Sequence, residues 1–82
     1  MQPGDITIYG AFWCGDCRRA KKFMDERGVL YTWVDIDHHP DAVVEVERLN
    51  RGMRSIPTIV FADGSILVEP SNAELARKLG IA

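Results

Sequence analysis

Long apolar runs are absent from this chain of 82 residues. The longest one, around residues 56–62, is far shorter than the roughly 18 residues that suggest a membrane span. The chain begins Met-Gln-Pro-Gly-Asp and lacks the basic and apolar regions of a signal peptide. Ten basic and twelve acidic residues give a formal net charge of -2, so no excess positive charge would attract nucleic acid or anionic lipid. We therefore expect a cytoplasmic protein that binds neither nucleic acid nor membranes.

Cysteine is also scarce, and the spacing of the two cysteines excludes a disulfide that stabilises the fold. The chain contains only Cys14 and Cys17, and a disulfide that closes so short a loop removes little entropy from the unfolded chain. In a reducing compartment such a pair is typical of redox catalysis or metal binding. The overall composition, 46% hydrophobic and 27% charged, is that of an ordinary globular protein, so we expect one domain over residues 1–82.

The first half of the chain predicts a strand, helix, strand, helix unit. Residues 5–9 and 31–35 are rich in β-branched and aromatic side chains, which indicates two strands. After the first strand, apolar residues recur at helical spacing from Cys17 onward, which places Cys14 at the N-terminus of a helix. A second helix is predicted to begin at Pro40. Such a unit favours a parallel strand pair with a right-handed crossover.

The second half predicts a hairpin and a last helix. Residues 58–61 and 66–69 flank an Asp-Gly turn, which is typical of an antiparallel hairpin. Ser71 is followed three residues later by Glu74, and this spacing indicates a capping box. The chain is therefore predicted to be an α/β protein of order βαβαββα, with a four-stranded mixed sheet flanked by three helices.

The motif Cys14-Gly15-Asp16-Cys17, at the start of a helix, indicates redox chemistry. Unpaired N–H groups and a partial positive charge at a helix N-terminus favour a thiolate, so Cys14 is expected to be the attacking thiol. Cys17, one turn further, is expected to be shielded yet close enough to attack a mixed disulfide on Cys14. The carboxylate of Asp16 should repel that thiolate and oppose part of the helix effect, or else it only stabilises the helix N-terminus.

Other interpretations of the motif are open at this point. The pair could be inert, or it could bind zinc or an iron–sulfur cluster, as cysteines at this spacing do in other proteins. One pair cannot complete a four-ligand site, and His38 and His39 are expected to form a solvated loop pair far from Cys14. No metal site is therefore predicted within the chain.

Two further features accompany the motif. The basic run contains Arg18, Arg19, Lys21 and Lys22, and it is expected to be a solvated helix face from which one cation could attract an anionic thiol. Pro57 lacks an N–H donor at the start of a predicted strand, which indicates either a special backbone geometry or a trans proline on a sheet edge.

Together these residues resemble a known family. The chain is similar over nearly its whole length to the glutaredoxins, which have a thioredoxin-like fold, and most closely to the mycoredoxins of actinobacteria. The motifs that carry the resemblance are Trp13-Cys14-Gly15-x-Cys17, Val34-Asp35-Ile36-Asp37, Ile56-Pro57-Thr58, Phe61-Ala62-Asp63-Gly64-Ser65 and Pro70-Ser71.

The resemblance implies a substrate-binding groove beside Cys14. It implies a cis peptide before Pro57, with the backbone of Ile56 pairing to the thiol substrate and Trp13 helping to shape the groove. It also implies that Ser71 and Asn72, at the N-terminus of the last helix, help to hold a carboxylate of the small thiol, which suits the physics of helix N-termini.

The chain departs from the glutaredoxin pattern at three places. Gly10 and Ala11 stand where glutaredoxins usually carry a lysine before the motif, and residues 69–72 replace a Gly-Gly and acidic pair. Asp16 stands where many members have an aromatic residue. The first two differences weaken the case for glutathione as the small thiol.

The resemblance implies an enzyme that reduces protein mixed disulfides through Cys14. Mycothiol, or alternatively glutathione, would be a co-substrate rather than a tightly bound cofactor. The expected partners are oxidised or S-thiolated proteins and an NADPH-linked disulfide reductase, and the protein is expected to be a monomer. One alternative is a dithiol electron donor, for example to ribonucleotide reductase, that thioredoxin reductase recycles through Cys14 and Cys17. Another is a protein that binds an iron–sulfur cluster between two subunits, with Cys14 from each and two external thiols.

Overall fold

The elements of the structure follow the predicted order βαβαββα. A computed structural model describes residues 5–81, and the prediction of an α/β fold with a four-stranded mixed sheet and three helices is confirmed. None of the helices in this part of the chain is long and apolar enough to cross a membrane. The elements are β1 (Thr7–Gly10), α1 (Gly15–Glu26), β2 (Thr32–Asp35), α2 (Pro40–Leu49), β3 (Thr58–Val60), β4 (Ile66–Val68) and α3 (Asn72–Leu79).

The sheet has the strand order β2-β1-β3-β4. β1 pairs in parallel with β2 and antiparallel with β3, and β3 and β4 form the predicted hairpin. The register places Ile8 opposite both Trp33 and Ile59, and Ile59 opposite Leu67, so these side chains share one face. Helices α1 and α3 cover that face, and the buried cluster there contains Ile8, Ala20, Phe23, Met24, Ile59, Phe61 and Leu75.

The other face of the sheet is covered by α2. Ala42 and Val46 of this helix are buried together with Ile36. Tyr9 and Val34, which are opposite each other in β1 and β2, pack against this second cluster. The sheet therefore has one helix on this face and two helices on the face that carries the cysteine motif.

At one end of the sheet, residues at the strand ends or directly next to them come together. Gly10, the last residue of β1, is opposite Asp35 of β2, and the register of β1 with β3 places Pro57 on the other side of Gly10. The N–H of Glu69, just after β4, donates to the carbonyl of Pro57 at 2.9 Å. The loop that carries the first cysteine starts directly after Gly10, so the motif lies at this end of the sheet.

Helix α3 begins at a fixed point because its N-terminus is fully capped. The N–H of Glu74 donates to Ser71 Oγ at 3.1 Å, and the N–H of Ser71 donates to Glu74 Oε1 at 3.0 Å. These hydrogen bonds hold the pKa of Glu74 below its usual value. The predicted capping box is thus confirmed.

Candidate active site

Cys14 is the N-cap residue of α1. Its backbone is extended, with φ -80° and ψ 118°, and its N–H donates to the carbonyl of Ala11 at 3.1 Å, which turns the chain into the helix. The N–H of Cys17 donates to Cys14 Sγ at 3.2 Å, so the sulfur takes the position that a capping oxygen usually occupies. The side chain is half-buried. Negative charge on this sulfur is therefore favoured by the helix dipole and by a directed N–H group.

Cys17 lies one turn further along α1 and has the opposite environment. Its side chain is fully buried, and both cysteines are free thiols. Burial raises the pKa of Cys17 from 9.0 to about 12, and the hydrogen bond with Cys14 acts in the same direction. At neutral pH Cys17 is therefore a protonated thiol, close to Cys14 but withdrawn from solvent.

Trp13 and Phe12 form an exposed aromatic pair in the loop before Cys14. Trp13 is 66% exposed and Phe12 is 78% exposed. The indole Nε1 of Trp13 donates to Asp37 Oδ2 at 2.7 Å, which fixes the ring against the loop that follows β2. An apolar surface therefore lies directly before the half-buried thiol.

Ile56 and Pro57 lie at the same end of the sheet as the motif. The peptide between them is cis, as the resemblance implied. Pro57 is buried, whereas Ile56 is half-buried and packs against the cluster under α2. Thr58 holds this turn, because its hydroxyl donates to the carbonyl of Ser55 at 2.6 Å and accepts from Asn50 Nδ2 at 2.9 Å.

Arg19 connects the motif to the segment before α3. Its guanidinium donates to Asn72 Oδ1 at 2.6 Å and to the carbonyl of Pro70 at 2.7 Å. Its Nε also lies 3.8 Å from the exposed carboxylate of Asp16. The structure therefore brings Asp16 and Asn72 to the two sides of one arginine, and Ser71 lies in the same segment with its N–H and hydroxyl engaged in the capping box.

Lys21, another cation of the basic run, does not behave as a freely solvated charge. Its Nζ lies 4.1 Å from the centroid of the Trp33 ring on β2. This is a cation–π arrangement, so the lysine stem covers part of the indole.

His38 and His39 are both tied to Asp35. Nδ1 of His38 lies 3.2 Å from Asp35 Oδ2, and Nδ1 of His39 lies 2.9 Å from the carbonyl of Asp35. Between residues 5 and 81 there is no group of three or more His, Cys, Asp or Glu side chains that could hold a metal ion.

Sequence reasoning did not single out two residues of this site. Phe12 belongs to no motif, and the signal for it is that an aromatic residue next to Trp13 in a loop has no core position to fill. Arg19 is one of four similar cations in the sequence, and the signal for it is its spacing of three residues from Asp16, which indicates a contact on the helix surface. The roles of Trp13, Asp16, Ile56, Pro57, Ser71 and Asn72 in substrate binding stay predictions.

The fold and the site together define a class of protein. Thioredoxin-fold redox proteins have a strand that leads into a cysteine at a helix N-terminus. They also have a second, buried cysteine one turn later and a cis proline at the same end of the sheet.

Comparison with known proteins identifies the family. The glutaredoxin family model matches residues 6–66. A protein of Mycobacterium tuberculosis (strain CDC 1551 / Oshkosh), provisionally named a glutaredoxin, is 43% identical over 79 residues, which cover 96% of this chain and 94% of that protein. Mycoredoxin 1 of Corynebacterium glutamicum is 35% identical over 75 residues, 92% of each chain. The crystal structure of the glutaredoxin from Methanosarcina mazei Go1 superposes with a TM-score of 0.79 and 30% identity, covering 96% of this chain and 81% of that one. The chain belongs to the glutaredoxin family and is a thiol–disulfide oxidoreductase.

Proposed function

We propose that this protein reduces mixed disulfides between proteins and a low-molecular-weight thiol, with mycothiol as the favoured thiol and glutathione as the alternative. Cys14 attacks the mixed disulfide and takes the small thiol onto its own sulfur, which releases the protein thiol. A second molecule of the small thiol then attacks the small-thiol sulfur of this new disulfide. Cys14 leaves as the thiolate, and the two small thiols leave as a symmetric disulfide.

The contrast between the two sulfur atoms carries this proposal. Cys14 Sγ is half-exposed and accepts an N–H bond at the helix N-terminus, whereas the Cys17 thiol is buried and protonated. Only one of the two sulfur atoms is therefore ready to attack a disulfide at neutral pH.

Mycothiol is supported by similarity and by departures from the glutaredoxin pattern. One relative that covers nearly the whole chain is named a mycoredoxin. The carboxylate of Glu74 already occupies the Ser71 N–H, so this end of α3 retains less capacity for a carboxylate of the substrate. The carboxylate of Asp16, two residues after Cys14 in the motif, adds a negative charge that disfavours anionic glutathione. The protein would act in the cytoplasm as a monomer, with S-thiolated proteins and an NADPH-linked disulfide reductase as its partners.

A dithiol route is the second candidate, and the proximity of the two cysteines favours it. The Cys17 N–H donates to Cys14 Sγ at 3.2 Å, and Cys14 is close enough to help raise the pKa of the Cys17 thiol, so closure of an internal disulfide needs little movement. In that route the protein would pass electrons as a dithiol and be recycled by thioredoxin reductase.

Turnover of a defined substrate tests the proposal. Reduction of a peptide–mycothiol mixed disulfide is measured with mycothiol and its NADPH-linked reductase for the wild type, Cys17→Ser and Cys14→Ser. We expect Cys17→Ser to keep most of the activity and Cys14→Ser to have none.

The other outcomes separate the alternatives. Loss of activity in Cys17→Ser, with an active wild type, would establish the dithiol route. A wild type that turns over only with glutathione would correct the small thiol, and one that works only with thioredoxin reductase would overturn the proposal. Visible absorption of anaerobically purified protein would indicate the cluster-binding alternative, and a colourless, metal-free sample would eliminate it.

A further inference from the structure

The buried thiol of Cys17 shares its pocket with an indole ring, and the space for both depends on Gly10. A Cβ atom on Gly10 would lie 2.7 Å from Cys17 Sγ, 2.7 Å from Cη2 of Trp33 and 2.9 Å from Cζ3 of the same ring. Carbon atoms in proteins do not approach one another so closely without displacing a neighbour. Glycine at this position therefore allows the ring edge of Trp33 and the sulfur of Cys17 to lie next to each other over the end of β1.

Two elements hold the indole in this place. Trp33 is opposite Ile8 in the register of β1 and β2, so its side chain is directed to the face that α1 covers. Lys21 lies four residues after Cys17, on the same side of α1, and its Nζ is 4.1 Å from the ring centroid. The ring is thus bounded by the sheet and by a lysine from the motif helix, and its edge lies over Gly10 on the same side as the sulfur.

We propose that Trp33 is a positioning residue that shields the Cys17 thiol and thereby directs the Cys14 mixed disulfide toward release by a second small thiol. Gly10 admits the ring, and Lys21 covers it. This inference rests on the proposed function, because it assigns the route by which the mixed disulfide on Cys14 is resolved.

Shielding by Trp33 slows the competing step, which is closure of the internal disulfide between Cys14 and Cys17. To close the internal disulfide, Cys17 must lose its proton to solvent and attack Cys14 Sγ, after which the bond between Cys14 and the small thiol breaks and the small thiol leaves as a thiolate. An indole in place of water disfavours the charged sulfur that this step needs, which agrees with the raised pKa of Cys17. Release by a second small thiol needs no charge on Cys17.

The reactivity of Cys17 alone provides the first test. In a Cys14→Ser background, the rate of alkylation of Cys17 by iodoacetamide is measured at pH 8 with Trp33 intact and with the substitutions Trp33→Leu and Trp33→Phe. We expect Trp33→Leu to raise the rate about tenfold, since one pKa unit changes the thiolate fraction tenfold. Trp33→Phe should give a smaller increase because it keeps a ring. Leu67→Ala, a truncation on the opposite edge strand of the same core, is the control and should leave the rate within about twofold.

The partition of products provides the second test. Reduced wild type and Trp33→Leu, each with both cysteines, are mixed with bis(2-hydroxyethyl) disulfide, quenched with acid and analysed by intact mass. We expect the wild type to accumulate the adduct on Cys14, and Trp33→Leu to form several-fold more internal disulfide. Far-UV circular dichroism shows whether the variant is folded, and if it is not, Trp33→Phe is used and should shift the partition in the same direction by a smaller amount.

The outcomes distinguish this inference from the proposed function. Equal Cys17 alkylation rates with and without the Trp33→Leu substitution, or an unchanged partition, would overturn the role of Trp33 while leaving the reaction at Cys14 intact. A wild type that fails to react with any small disulfide would overturn the proposed function, and the alkylation rates in the Cys14→Ser background would still decide whether Trp33 shields Cys17.

Discussion

Cys14 and Cys17 lie three residues apart at the start of one helix, yet their surroundings differ in every respect that matters for reactivity. Cys14 caps the helix, accepts an N–H bond and is half-exposed beside an aromatic loop. Cys17 is enclosed by the sheet, and burial raises its pKa to about 12. The two side chains are chemically identical, so their division of labour comes from where the helix begins and from what packs beneath it.

Replacement of each cysteine by serine should give the largest difference. Cys14→Ser should abolish turnover, because a hydroxyl cannot form the mixed disulfide, whereas Cys17→Ser should keep at least about half of the wild-type rate. The measurement is the coupled mixed-disulfide assay, and thermal unfolding of both variants is the control. Equal losses in the two variants would contradict the separate roles of Cys14 and Cys17.

Alanine at Gly10 tests the packing around Cys17. The added Cβ would collide with the sulfur and the indole, so we expect Gly10→Ala to lower the free energy of unfolding by about 1–3 kcal/mol. Gly15→Ala is the matched control on the Cys14 side, since a Cβ there has no neighbour within 4 Å, and it should change stability by less than about 1 kcal/mol. Urea unfolding of the reduced proteins measures both, and an equal effect of the two substitutions would contradict the packed pocket.

The free energy of unfolding of the reduced protein should fall at alkaline pH because the Cys17 thiol is buried. The unfolded chain releases the Cys17 proton above pH about 9, whereas the folded protein holds it until about 12. The contribution of this thiol to the free energy of unfolding is therefore fully present below pH about 9 and is lost as the pH rises. Burial and a hydrogen bond to Asp25 raise the pKa of Tyr31 from 10.0 to about 12, which adds a loss of the same sign.

Cys17→Ala separates the two contributions. Urea unfolding from pH 8 to 10.5 should show a steeper decline in the free energy of unfolding for the wild type than for Cys17→Ala, which retains only the part from Tyr31. Parallel declines would show that the Cys17 thiol does not hold its proton more tightly in the folded state.

Asp16→Asn should give the smallest effect, and the property it changes is the reactivity of Cys14. Removing a carboxylate near the thiolate should raise the rate of Cys14 alkylation at pH 7 by about two- to fivefold at low ionic strength, and by less in salt. Glu26→Gln, at the far end of α1, is the control and should leave the rate unchanged. No change with Asp16→Asn would mean that this carboxylate serves only the helix N-terminus.

Local patterns in the sequence predicted much of the fold and of the site. The element order, the Asp-Gly hairpin and the capping box of Ser71 and Glu74 depend on neighbouring residues, and all three are confirmed. The same holds for the location of Cys14 at a helix N-terminus, because the strand and the helix around it have clear periodicities.

Contacts between distant parts of the chain could not be predicted in this way. The approach of Trp33 to Cys17 depends on the register of β1 with β2, and Gly10 carries no local signal that distinguishes close packing from a turn. The contact of Arg19 with Asn72 joins residues 53 positions apart, and only the packing of α1 beside α3 selects it from four adjacent cations.

Competitive alkylation of the reduced wild type shows which of the two sulfur atoms is the nucleophile. A substoichiometric amount of iodoacetamide is added at pH 7, and the label is located by fragmentation of the tryptic peptide that ends at Arg18, which contains both cysteines. We expect more than about nine-tenths of the label on Cys14, because its sulfur is half-exposed at the helix N-terminus whereas the Cys17 thiol is buried and protonated. Comparable labelling of Cys14 and Cys17 would contradict this expectation.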